Sequence, residues 1–82
     1  MSYEKVKQAK KVKVGLKQTI KAVEKGSALE VIIAEDAEPH IVSRITDTCQ
    51  HCQVPFTYVR SMKELGKVCG IDVGAASVAI EK

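Results

Sequence analysis

The 82-residue sequence has no apolar run approaching the roughly 20 residues that a membrane span needs. Its opening stretch, MSYEKVKQAKK, has no apolar core of the kind a secretory signal carries. From both absences we expect a cytoplasmic protein with no membrane partner. Neither a G-x-G-x-x-G nor a P-loop is present, so the glycine-rich phosphate cradles of nucleotide-using enzymes are missing. His40 and His51 fall in one predicted helix, away from any nucleophile-and-base pair, and are expected at the surface. There is no linker, internal repeat or low-complexity segment, and the length suits one domain spanning 1–82. No enzymatic activity and no cofactor are expected.

Cysteine occurs three times, an odd number that does not suit a disulfide framework. Cys49, His51 and Cys52 form a C-x-H-C cluster that invites a zinc assignment. However, Ile41, Ile45, Cys49 and Cys52 recur at helical spacing, which places both thiols on an apolar stripe. Buried free cysteine packs as a small hydrophobe, and a structural zinc site needs a fourth ligand. The stripe is the reading we carry forward, with no metal.

The composition is that of an ordinary soluble domain, 45% hydrophobic and 28% charged. The net charge of +3 is unevenly spread. Residues 1–26 hold eight lysines against Glu4 and Glu24, a net of +6, whereas residues 27–82 are net −3. A contiguous basic segment on a mildly acidic body points to a polyanion-facing surface.

Residues 2–10 suit a short helix with a thin apolar face of Tyr3, Val6 and Ala9, capped by Ser2. Lys11–Val14 alternates Lys and Val, as a half-buried strand does. After Gly15 a helix runs to Lys25, burying Leu16, Ile20 and Val23, and Gly26 stops it. Lys17 stands in the first turn, where the helix dipole prefers an anion, so a negative partner is implied. Leu29–Ala34 is nearly all apolar, as a strand covered on both faces must be. Asp36 is expected to cap the following helix, which has Pro39 in its first turn and ends near His51. Val54–Val59 reads as a strand with Phe56 and Tyr58 on one face. Ser61 and Glu64 stand at capping-box spacing, and Gly70 is placed to end the helix that follows. The last strand is Ser77–Ile80. Between them, Ile71-Asp72-Val73-Gly74-Ala75 is a loop with two branched apolar residues, which either plug the core or await a partner. Helix and strand alternate four times, which implies an α/β fold with helices on both faces of a largely parallel or mixed sheet.

The segments VIIAEDAEP and VPFTYVRSMKELGKVCGIDVGAASVAI resemble the kink-turn-binding ribosomal proteins of the L-seven-Ae and L-thirty-e superfamily, most closely its small bacterial YbxF-type members. The resemblance covers nearly the whole chain from about Lys5. It implies a three-layer α/β/α sandwich with a central mixed sheet of about four strands. It also implies binding to structured RNA containing kink-turns, a connection to the ribosome, and action as a monomer. In archaeal members the residues after the matching glycine read Asn-Glu, with a Lys three further on, and they meet guanines of tandem sheared G·A pairs. Here those positions are Lys17, Gln18 and Lys21. Lysine can donate to guanine N7 and O6, and a glutamine amide both donates and accepts. The family's second contact is the loop matching Ile71–Ala75, which packs against a flipped-out nucleotide. The RNA-binding set implied by the resemblance is thus Gly15, Lys17, Gln18, Lys21, Asp36, Ile71, Asp72, Val73, Gly74 and Ala75. An alternative is a protein-interaction module in ribosome assembly that uses the same apolar loop.

Overall fold

The computed structural model describes residues 2–82; Met1 and the side chain of Ser2, and with it the expected Ser2 cap, lie outside the described part. Eight elements alternate along the chain: α1 (Ser2–Gln8), β1 (Val12–Val14), α2 (Leu16–Lys25), β2 (Ala28–Ala34), α3 (Pro39–His51), β3 (Phe56–Val59), α4 (Met62–Val68) and β4 (Ser77–Glu81). The strands form one sheet in the order β1-β4-β2-β3, antiparallel at β1–β4 and β4–β2 and parallel at β2–β3. The mixed sheet follows from the connections: the α3 crossover returns the chain parallel to β2, whereas β4 enters between β1 and β2 from the opposite direction.

Alternation along β2 divides the core. Val31 and Ile33 face α2 and α3, packing with Ile20, Val23, Ile45 and Cys49. Ile32 and Ala34 face α1 and α4, packing with Val6, Leu65 and Val78. This is the expected α/β/α sandwich, and its apolar strand is buried from Val31 to Ala34.

Three expectations change. Leu29 is 52% exposed although the LEVIIA run suggested cover on both faces. The cause is a bulge: Ala28 pairs with Glu81 and Glu30 with Ile80, so Leu29 is the extra residue and leaves the pleat. Asp36 does not cap α3. The N-cap of α3 is Glu38 with no side-chain bond, and Pro39 opens the helix. Asp36 Oδ1 instead accepts the Met62 N–H at 2.9 Å, at the start of α4. That carboxylate satisfies one of the free backbone donors of a different helix, 26 residues away. The Ser61 cap forms, Oγ accepting from Glu64 N at 3.2 Å, but Ser61 N donates to the Tyr3 hydroxyl and not to Glu64.

Candidate nucleic-acid interface

The surface is built at the end of the sheet where β1 stops and β4 starts. Val14 pairs with Val78, and just beyond them Gly15 N donates to Ser77 O at 2.9 Å. The start of α2 is therefore fixed beside the end of the 71–76 loop. Gly15 has φ 100° and ψ 166°, a conformation that only glycine adopts without strain, and the space in front of its Cα is open. No side chain caps α2, so at its positive dipole end the first-turn N–H groups have no side-chain acceptor. Below the surface, the buried Ser77 hydroxyl donates to Thr19 Oγ1 at 2.8 Å and ties α2 to β4.

The second half of the surface is the loop between α4 and β4. Val73 is 70% exposed and Ile71 37%. The loop is held by its backbone: Ile71 N donates to Gly66 O at 3.1 Å and Ala75 N to Met62 O at 2.9 Å. It lies so close to α4 that a Cβ on Gly66 would collide with the Val73 carbonyl. Lys63 and Lys67, one helical turn apart, border the same groove as Ile71, Asp72 and Val73. On the α2 side, Gln18, Lys21 and Lys25 line a groove with Lys13. Among the described residues, Lys5–Glu30 and His40–Glu38 are the ion pairs, so the lysines of both grooves are unpaired.

The sequence model of the ribosomal protein L7Ae/L30e/S12e/Gadd45 family matches residues 2–82. The chain belongs to this family. Within the family's range, it is similar to an RNA-binding protein of Halalkalibacterium halodurans, 56% identical over 82 residues and covering all of both chains. It is also 56% identical over 80 residues to the RNA-binding protein YbxF of Geobacillus stearothermophilus, covering 98% of each. Among solved structures it is similar to the 15.5 kD RNA-binding protein of Giardia lamblia, with a TM-score of 0.88 at 33% identity over 99% of this chain and 71% of that one.

Most of the residues implied by the family resemblance meet at this sheet end. Gly15, Lys17 and Gln18 are there, with Lys21 one turn along α2, and Lys17, Gln18 and Lys21 are all exposed. Ile71, Asp72, Val73 and Gly74 are exposed on the loop. Ala75 departs from the set: it is 3% exposed and packs in the core with Leu65. Its side chain anchors the loop and offers nothing to a ligand. Asp36 lies at the same end, beyond β2, but its carboxylate is engaged by Met62. Lys63, Lys67, Gly66 and the Thr19–Ser77 bond were not foreseen. The spacing of Lys63 and Lys67 just before the apolar loop was the available signal for the first two.

Proposed function

We propose that this protein is an RNA-binding protein that recognises kink-turns and stabilises their bent form. It is not an enzyme; its relatives carry names that describe RNA binding. The observation that carries the reading is the pairing of an uncapped, lysine-bearing helix start with an exposed branched apolar loop, joined through the Gly15–Ser77 bond. A kinked RNA brings phosphates together and exposes an unstacked base. Lysines of α2 and α4 offset the phosphate repulsion. Lys17 and Gln18 reach guanine edges, and open space at Gly15 admits the RNA backbone. Val73 and Ile71 cover the splayed base. Binding only the bent form shifts the RNA population toward it. We place this activity in the cytoplasm, on ribosome-related RNA, with the protein acting as a monomeric single domain.

The test is a titration with a kink-turn RNA and with a copy whose G·A pairs are replaced by Watson–Crick pairs, read by fluorescence transfer between the RNA ends. The kink-turn should bind at least about tenfold more tightly, roughly 1.4 kcal/mol, and its ends should approach. Val73→Asp sets a carboxylate against bases and phosphates and should abolish that preference. At a 70% exposed position it should cost the fold only a few tenths of a kcal/mol. Equal binding of the two RNAs would refute the reading.

A further inference from the structure

The opposite end of the sheet carries a second surface, which the RNA reading leaves unused. The β2 bulge turns Leu29 outward beside Ala9, which follows α1, and Ile80 of β4, and these three form the floor of two adjoining shallow grooves. Bulges commonly re-aim a side chain, and a single exposed leucine alone would be unremarkable. What distinguishes this one is its rim. Lys10, Lys11 and Lys82 border the groove, and none has a side-chain partner among the described residues. The acids nearby are already engaged. Glu30 accepts from Lys5 Nζ at 3.1 Å and from Thr57 Oγ1 at 3.0 Å. Glu81 accepts from the Ser27 hydroxyl at 2.7 Å. Glu81 shares the groove and keeps its charge under that neutral hydroxyl, so around the aliphatic floor three lysines face one carboxylate, an excess of positive charge.

We propose that this end docks a protein segment in which an aliphatic side chain is flanked by carboxylates. The aliphatic anchor would cover Leu29 and Ile80, and the carboxylates would pair with Lys10, Lys11 and Lys82. The floor has no aromatic ring, so it offers no stacking platform for a nucleic-acid base. A second copy is also a poor fit. The chain's own exposed aliphatic loop, Ile71–Val73, brings a single carboxylate, Asp72, and shares its groove with Lys63 and Lys67, so that surface is itself net positive. Ile80 lies three residues along β4 from Ser77, which holds Gly15, so the site is displaced by about 10 Å along the sheet from the Gly15 end. One molecule can therefore hold RNA at one end and a protein at the other.

The probes are three short synthetic peptides: one of alternating Leu and Glu/Asp, one with Ser in place of Leu, and one with Lys in place of the acids. Each is titrated into nitrogen-15-labelled protein. The Leu-acid peptide should shift the amides of Ala9, Lys10, Leu29 and Ile80 and leave Gly15 and Val73 unmoved. The Ser and Lys peptides should bind at least about tenfold more weakly, and Leu29→Glu should weaken the Leu-acid peptide by a similar factor. Lys10→Glu with Lys11→Glu should do the same, a check that does not depend on Leu29. Both variants should keep the wild-type melting temperature within a few degrees and retain kink-turn affinity. No binding, equal binding of the Leu and Ser peptides, or shifts confined to the Gly15 end would overturn the proposal. So would concentration-dependent dimerisation that Leu29→Glu abolishes, which would make the occupant a second copy. Loss of RNA binding in Leu29→Glu would assign the surface to RNA instead. Failure of kink-turn recognition with peptide docking intact would refute only the RNA reading.

Discussion

Cys49 is fully buried on the α3 stripe, as its spacing with Ile41 and Ile45 implies. Burial, and secondarily the nearby Cys52, pushes its thiol from the usual 9 up to about 11. The same shift links folding to pH. Between about 9 and about 11 the unfolded chain has lost this proton while the folded one keeps it. The folded pKa is the higher one, so the contribution is complete below the unfolded value and is lost as pH rises through the folded one. We expect unfolding free energy to fall by up to ~2 kcal/mol across that window from this residue alone. Lysines and tyrosines titrate there too, so the measurement is a difference. Under reducing conditions, denaturant midpoints from pH 8 upward should fall less steeply for Cys49→Ala than for wild type, although Cys49→Ala is less stable at pH 8. Parallel slopes would mean that the thiol titrates normally in the fold.

At the scale of elements, α4 and its loop work as one unit, and Gly66 joins them. A helix interior normally gains about 1 kcal/mol on Gly→Ala. At Gly66 the added methyl would enter the Val73 carbonyl, which is backbone and cannot swing away. Overpacking of this kind costs about 1–3 kcal/mol. Gly66→Ala should therefore lower stability and weaken kink-turn binding more than Ala substitution at the exposed Lys63 weakens it, because it displaces the entire apolar loop. Thermal melting and the same RNA titration decide this; a stabilised variant with unchanged affinity would show that the loop is free of α4. The helices themselves were legible from local signals. Period, Pro39 and Gly26 located α2 and α3, with ends near Lys25 and His51, although the α3 cap was misplaced at Asp36. What escaped were features set by a partner distant in sequence. Asp36 looks like an α3 cap until α4 folds back onto it. Leu29 looks like strand core until β4 dictates a bulge. Thr19 interrupts an apolar stripe until Ser77, 58 residues on, supplies its hydrogen bond. The Gly15 and 71–75 segments were each visible locally, but their meeting depends on β1 pairing with β4.

For the whole molecule, the question is whether its charge acts as a diffuse field or through placed groups. The net of +3 is modest, and the lysines of residues 1–26 are spread over both ends of a body measuring 29 × 28 × 21 Å. Lys21 sits on α2 six residues past Gly15, in a groove that holds Gln18 and runs on to Lys25 and Glu81. Lys10 sits at the far end, beside Leu29. Along β4 these ends are about 10 Å apart, little more than one Debye length at physiological salt, so a phosphate at one end feels a lysine at the other only through screening. Each neutralised phosphate contributes about 0.9 to the slope of log affinity against log salt in duplexes and about 0.7 in single strands. Lys21→Ala should therefore flatten the slope for kink-turn RNA by close to one and weaken binding at physiological salt. Lys10→Ala should change both clearly less. Both substitutions are at exposed positions and should leave the melting temperature alone. If the two variants lose slope equally, the protein holds RNA by its overall charge, and the groove at the start of α2 has no special part in binding. If only Lys21→Ala does, the basic segment seen in the sequence divides by position: its α2 half faces the RNA, and Lys10 and Lys11 remain available to a partner at the other end of the sheet.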